Sequence, residues 1–200
     1  MIVCRDPGLK PKPLVLSRET LTSPIGTLVV LTDAEGRLRV ADFDDYQDRT
    51  AQLLDRGYGR GGWSVSMAAK PSPALRALAD YFDGDLTGID GIETATAGTV
   101  LQRAVWAALR AVPPGTTESY GALAARIGHP RAVRPVGAAN GANPICIVVP
   151  CHRVVGANGT LTGYGGGLER KRWLLEHEAR HAGKNGVERP VDLFGTVLAR

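Results

Sequence analysis

Between Thr99 and Gly141 the chain is cut repeatedly by residues that cannot continue a helix, and this punctuation constrains the architecture most. The breaks are Val112-Pro113-Pro114-Gly115, Gly128-His129-Pro130 and Asn140-Gly141. A proline inside a helix removes a hydrogen bond and clashes with the preceding turn, while glycine readily takes the left-handed conformation that ends one. The pieces between the breaks are therefore short helices joined by tight turns. The first starts at a capping box, Thr99 with Gln102 three residues on. It turns Leu101, Val105, Ala108 and Leu109 inward. The second runs from about Tyr120 to Ile127. The third starts at about Arg134, because Pro135 is tolerated only in a first turn. Short helices of this kind fit a helix-turn-helix, although such units also occur in proteins that bind nothing.

The first half reads differently. Residues 1–19 are polar and proline-containing, which predicts a loose lead-in. Residues 27–32 (TLVVLT) and 37–43 (RLRVADF) predict two strands, joined by the turn residues Asp33-Ala34-Glu35-Gly36 into a hairpin. A helix over 45–56 follows, with Leu53 and Leu54 inward, then a short strand at 63–66. Ser72 and Pro73 open a further helix that ends near Gly84, with Leu75, Leu78, Ala79 and Phe82 inward. This half shows no catalytic cluster and reads as a scaffold. Charge follows the same division. Residues 1–98 carry 11 Lys+Arg against 14 Asp+Glu, a net −3, and residues 99–200 carry 13 against 6, a net +7. A basic second half suits a polyanionic partner.

Several function classes drop out. No apolar run approaches the roughly 20 residues of a membrane span, and the N-terminus, MIVCRDPGLKPKP, lacks a secretory apolar core. A cytoplasmic protein without membrane contact is expected. The three cysteines, Cys4, Cys146 and Cys151, are too few for a disulfide framework and form no CxxC pair. Neither a metal nor another cofactor is expected.

Beyond Gly141, residues 145–149 (ICIVV) predict a buried strand ended by Pro150. Cys151 leaves that run beside His152 and Arg153, two basic groups of the kind that lower a thiol pKa. Neighbouring side chains in a strand point apart, so cooperation requires a turn or short helix here. A glycine-rich loop spans 156–167, and a last helix starts at Leu168. On it Arg172, Glu176 and Arg180 are spaced for i,i+4 pairs. Glu178 shares the inward face of Leu174 and Leu175, where a carboxylate needs a partner.

Pro150-Cys151-His152-Arg153-Val154 resembles the active-site signature of the alkylguanine-DNA alkyltransferases, in their bacterial constitutive type. The resemblance extends through Asn143-Pro144, Gly163-Tyr164, Gly165-Gly166-Gly167 and Leu168 to Glu178. Upstream it takes in Gln102 to Trp106, Ser119-Tyr120-Gly121 and Arg131-Ala132-Val133-Arg134. It is dense over 97–179 and weaker over 20–96, where Ser23-Pro24-Ile25-Gly26 matches the family's first hairpin. It implies an α+β protein in two domains. Residues 1–96 would be ribonuclease H-like, and residues 97–179 a winged-helix-like, helix-turn-helix DNA-binding and catalytic domain, with 180–200 as a tail.

The function implied is direct reversal of DNA damage. One alkyl group would pass irreversibly from 6-O-alkylguanine, and from 4-O-alkylthymine, to Cys151. The damaged nucleotide would first be flipped out through the minor groove of double-stranded DNA. By resemblance His152 is the base, acting through a water, Glu178 orients it, Asn143 bridges the active-site turn, and Tyr120 donates to the purine and crowds the 3′ phosphate. Arg134 fills the space left by the flipped base, and Ala132, Gly137 and Arg153 join it on the DNA. Pro150, Val154, Tyr164 and Gly165 line the pocket, with the backbone of Val154 and Gly165 reading the guanine edge. The protein would act as a monomer.

Three positions depart from the family. Cys146 stands where proline or serine is common, and is expected to be packing. Pro135 replaces a usual alanine. Gly165 is small and would leave room for alkyl groups larger than methyl. Two other readings remain: a thiol hydrolase using Cys151, His152 and Glu178, which would turn over without DNA, and a lesion-binding protein without catalysis, which the presence of Cys151 disfavours.

Overall fold

β1 (Leu14–Ser23) turns at Pro24-Ile25 into β2 (Gly26–Thr32), and the Asp33 turn leads into β3 (Leu38–Phe43). This arrangement comes from a computed structural model that describes residues 13–184. The Asp33 carboxylate fixes the second turn by accepting the backbone N–H of Glu35 and Arg37, at 3.1 and 2.9 Å. β4 (Trp63–Met67) lies parallel to β1, and the sheet order is β3-β2-β1-β4. α1 (Gln47–Tyr58) covers one face, packing Leu54 on Leu16, Val29, Leu31 and Val40. α2 (Pro73–Asp83) covers the other, over Leu28, Val30 and Phe43. Burial on both faces explains why TLVVLT runs apolar without alternation. Ser72 Oγ caps α2 by accepting the Leu75 N–H at 3.1 Å, and Gly84 closes it at φ 107°.

The expected lead-in is shorter than the composition implies. Residues 14–19 already belong to β1, because Leu16 enters the core and the strand pairs on both sides. Residues 1–12, Cys4 and most of the 180–200 tail lie outside the described residues.

The second half contains the short helices that its breaks require. α3 (Val100–Arg110) has the Thr99–Gln102 capping box in both directions. β5 (Glu118–Ser119) leads into α4 (Tyr120–Arg126), and α5 (Val133–Gly141) holds Pro135 in its first turn. β6 (Val154–Val155) pairs parallel with β5. α6 (Leu168–His181) closes the described chain except for one 3-10 turn. Val105, Leu109, Leu123, Val136, Ile145 and Leu174 share one core with the inner face of the sheet.

Two expectations fail here. Residues 145–149 are buried, but they form a turn rather than a strand, with an Ala41–Ile145 bridge as their backbone pairing to β3. On α6, Arg172 pairs with Glu169 at 2.8 Å, three residues away and one turn nearer the N-terminus, instead of with Glu176.

Candidate active site

The buried turn is organised by Asn143. Its Nδ2 lies 3.2 Å from the Ile145 carbonyl, 2.8 Å from the Val149 carbonyl and 3.1 Å from Cys151 Sγ. Its Oδ1 accepts the Ile145 N–H at 2.9 Å. One side chain thus supplies the backbone partners that a strand neighbour would have supplied. Outside support comes from the free edge of β3. Ala41 N–H donates to the Pro144 carbonyl at 3.0 Å, and Cys146 N–H to the Ala41 carbonyl at 2.6 Å. Ile147 adopts φ 71°, a strained value for a β-branched residue. After Pro150, the 3-10 turn Cys151–Arg153 supplies the local bend that cooperation between neighbours requires.

His152 and Arg153 do not face the Cys151 sulfur. Both turn to Glu178, which is fully buried. Glu178 Oε1 meets His152 Nε2 at 2.8 Å and accepts from Arg153 Nη2 and Tyr81 Oη, each at 2.8 Å. Oε2 accepts from Arg153 Nε and the Gly115 N–H, each at 3.0 Å. Burial alone would raise the pKa of this carboxyl, but His152 and Arg153 hold it well below the usual carboxylate range. Burial also pushes the His152 pKa down, so the imidazole is neutral at pH 7. Its Nδ1 is buried with no hydrogen-bond partner among the described residues. Arg153 is 3% exposed and fully engaged, so it is an internal counter-charge and not a DNA contact.

The Cys151 thiol is held below the ordinary thiol range. A hydrogen bond with Cys146 is the largest cause; the Asn143 amide and the Arg49 charge add to it against burial. The cation that favours the thiolate is thus Arg49, from α1, rather than His152 or Arg153. Arg49 Nη2 donates to the Gly141 and Asn143 carbonyls, each at 2.9 Å, and Nη1 pairs with Asp42. The first half is more than a scaffold: β3, α1 and α2 each place a polar side chain against the buried turn or against Glu178.

The remaining candidate residues lie around this centre. The Tyr120 hydroxyl is 3.4 Å from the Gly163 carbonyl and from Asn140 Nδ2. Burial raises its pKa, so it stays a protonated donor. Arg134, in the first turn of α5, is exposed and has no side-chain partner among the described residues. Ala132 is the half-buried residue before α5. The open side of Gly137 faces the Tyr120 ring, and Ala139 is buried beside Trp106, so of these small residues only Ala138 is exposed. Pro150 and Val154 are buried, and the Val154 carbonyl accepts from Lys171 Nζ at 2.6 Å. Tyr164 stands edge-on to His152 with centroids 6.4 Å apart. Space above Gly165 is not open: a Cβ there would meet Arg49 Nη2 at 3.0 Å, so the small residue makes room for Arg49. Gly166 is required by packing, since a Cβ would stand 2.7 Å from the Tyr164 ring.

Sequence reasoning passed over Asp42, Arg49, Tyr81 and Lys171. Lys171 is fully buried and ties the Val154 and Thr162 carbonyls together, each at 2.6 Å; burial lowers its pKa to about 8. It lies three and four residues before Leu174 and Leu175, so the inward-face test that found Glu178 also finds Lys171. One spacing runs against the expectation of no metal. His177, Glu178 and His181 have the HExxH pattern. Their side chains are committed elsewhere: His177 Nε2 donates to the Tyr81 carbonyl at 2.7 Å, His181 Nδ1 to the His177 carbonyl at 2.8 Å, and Glu178 to the cluster above.

Comparison with known proteins places this geometry in a family. Residues 16–96 match the model for the 6-O-methylguanine DNA methyltransferase ribonuclease-like domain, and residues 100–180 match the model for the DNA-binding domain of the same family. A methylated-DNA--protein-cysteine methyltransferase of Salmonella typhimurium is 54% identical over 165 residues, which is 82% of this chain and 96% of the relative. One from Mycolicibacterium paratuberculosis is 46% identical over 170 residues, 84% of this chain and 95% of the relative. Among solved structures, Mycobacterium tuberculosis OGT in complex with DNA matches with a TM-score of 0.66 and 40% identity, over 84% of this chain and 94% of that one. With both domain models matched in order and relatives of this identity over most of its length, the chain belongs to the 6-O-methylguanine DNA methyltransferase family.

Proposed function

We propose that this protein repairs alkylated DNA by accepting one alkyl group, irreversibly, on Cys151. The observation that carries the reading is a buried thiol with a depressed pKa, fixed 3.1 Å from the Asn143 amide and next in sequence to a neutral histidine on a buried carboxylate. The substrate is 6-O-alkylguanine in duplex DNA, with 4-O-alkylthymine as a second lesion.

Each residue has a role in that reading. His152 Nε2 is committed to Glu178, which leaves Nδ1 to take the Cys151 proton through a water. The thiolate attacks the alkyl carbon on the guanine 6-oxygen. A carbon–sulfur bond forms, the carbon–oxygen bond breaks, and its electron pair leaves with the purine. Tyr120, kept protonated by burial, donates to that purine and makes it a better leaving group. Pro150, Val154, Tyr164 and Gly165 bound the pocket. The product is a thioether without a good leaving group, so the protein is consumed by the reaction. No metal or other cofactor takes part.

The target carbon lies inside the duplex, so the nucleotide must rotate out. Arg134, exposed at the start of α5, fills the gap it leaves; Ala132 precedes the same helix, and Tyr120 faces Gly137 on it. The protein works as a cytoplasmic monomer. Arg134→Ala is expected to slow transfer from duplex DNA by about tenfold or more, on the scale of one or two lost charge-assisted contacts. Transfer to Cys151 from a free 6-O-benzylguanine base should change much less. A rate from duplex DNA equal to wild type, measured by quenched single-turnover assay, would remove Arg134 from the flipping step.

The function itself is tested by stoichiometry. Incubation with excess methylated duplex should add one methyl mass per molecule, and peptide mapping should place it on Cys151. Repeated turnover would favour the thiol hydrolase instead.

A further inference from the structure

We propose that Asn140 is a positioning residue for the alkyl transfer. Its amide nitrogen donates to the Tyr120 hydroxyl and to the Cys151 carbonyl, which fixes the proton donor against the nucleophile's turn and supports the phenolic oxygen as it gives up its proton. The inference rests on the reading of Tyr120 as the donor to the departing purine and assigns a further residue to that step.

Asn140 lies in the last turn of α5, the helix whose first turn carries Arg134. It is buried, and its Nδ2 stands 3.4 Å from Tyr120 Oη and 3.4 Å from the Cys151 carbonyl oxygen. An amide NH2 has two hydrogens, one for each oxygen. The Cys151 carbonyl can only accept, so the nitrogen of the amide, not its oxygen, is on this side. Tyr120 is then the acceptor in its contact with Asn140, and its own O–H stays free to donate. In this structure it reaches the Gly163 carbonyl at 3.4 Å. Gly137, three residues earlier on the same face of α5, lies against the Tyr120 ring, which a Cβ there would meet at 3.7 Å. One helix thus seats both the ring and the hydroxyl. Asn140 Oδ1 is buried with no hydrogen-bond partner among the described residues. An apolar residue would carry no such penalty, so the N–H side of the amide is what offsets it.

The chemistry explains why a donor belongs at this point. When the Cys151 sulfur takes the alkyl carbon, the carbon–oxygen bond breaks and its electron pair leaves on the purine. The Tyr120 proton moves toward the purine, and negative charge grows on the phenolic oxygen in the same measure. The proton that His152 took from Cys151 balances it. A charged oxygen accepts a hydrogen bond more strongly than a neutral one. The Asn140 N–H therefore favours the reacting state over the resting one, which is the condition for speeding a step. Burial and the Cys151 charge hold the Tyr120 pKa up, and the Asn140 contact works against them. Asn140 forms no bond to the alkyl group or the purine; it acts through Tyr120.

The test is a double-mutant cycle. Asn140→Leu and Asn140→Met remove the donor at similar size, each made in the wild-type chain and in Tyr120→Phe, and thermal melts select the folded proteins. Single-turnover transfer is measured with free 6-O-benzylguanine, so that DNA binding does not enter. Each variant is expected to slow transfer about tenfold when Tyr120 is present, the scale of one hydrogen bond to a charged group, and by less than about twofold in Tyr120→Phe. With the 8-aza analogue of that base, whose purine leaves more readily as an anion, the loss should shrink. Equal slowing in both backgrounds would overturn the proposal, because Asn140 would then work through the Cys151 carbonyl alone. So would a wild-type rate in a folded Asn140 variant, or failure of both variants to fold. Tyr120→Phe by itself tests the parent reading: slower transfer supports Tyr120 as the donor, and a wild-type rate would remove that role and this proposal together.

Discussion

Cys151→Ala protein is expected to bind methylated duplex DNA with wild-type affinity while accepting no alkyl group. The two outcomes separate because Cys151 belongs to the buried turn and the residues proposed to hold DNA belong to α4 and α5. Cys151 is 4% exposed and its Sγ meets the Asn143 amide. Alanine removes a small buried atom and leaves the Asn143 bridges to Ile145 and Val149 intact. The turn should therefore persist. Chemistry should not, since neither His152 nor Glu178 offers a nucleophile and the buried Cys146 stays protonated. Transfer is expected to fall by at least about a thousandfold, the scale on which enzymes lose rate when their nucleophile is removed. Binding is read by fluorescence anisotropy at fixed salt, because contacts to phosphate depend on it. Loss of both binding and transfer would mean that Cys151 organises the fold. Retained transfer would place the acceptor elsewhere.

The sequence shows this site unevenly, for physical reasons. Helix ends are local chemistry, so Thr99 with Gln102, Ser72 with Pro73, and Pro135 in a first turn mark their helices correctly. Glu178 is legible because an inward carboxylate demands a partner, and the partner lies in the motif at 151–153. The backbone of 145–149 is not legible from its apolar character, which burial alone satisfies. The informative residue there is Asn143, whose short amide competes with strand pairing for the same backbone groups. Arg153 misleads for a related reason. A basic residue in a basic half invites a phosphate, but its guanidinium fills a cavity that only the folded chain has.

The contribution of the first half is the least legible part. Arg49 reaches the Asn143 carbonyl across 94 positions, and Tyr81 reaches Glu178 across 97. No local pattern encodes such pairs. They exist because the free edge of β3 receives the turn at Ala41, which brings α1 and α2 to either side of it.

Glu178→Gln is expected to cost both stability and rate, and the pH dependence should identify why. The carboxylate balances the buried Arg153 charge while holding His152 and Tyr81. Glutamine keeps the shape but removes the charge, leaving a guanidinium with no anionic partner in the core. Breaking a buried pair in this way costs about 3–5 kcal/mol. For a chain of this size that lowers the melting temperature by about 10 °C. The folded-state pKa of Glu178 lies below its ordinary value of 4.5, so the unfolded chain binds the proton more readily. That contribution to stability is present in full above the ordinary value and is lost as pH falls through the carboxylate range toward the folded one. His152 acts in the same sense over a higher window, since its folded pKa also lies below the ordinary 6.5. Wild-type stability should thus fall as pH drops below about 6.5 and fall further below about 4.5, as each unfolded-state group takes up its proton. In Glu178→Gln the lower step should shrink, and the buried Arg153 should destabilise the protein at every pH. Thermal melts from about pH 2 to pH 8 give both results. A Glu178→Gln protein that melts as the wild type does across that range would mean that the cluster around Glu178 positions His152 without holding the fold.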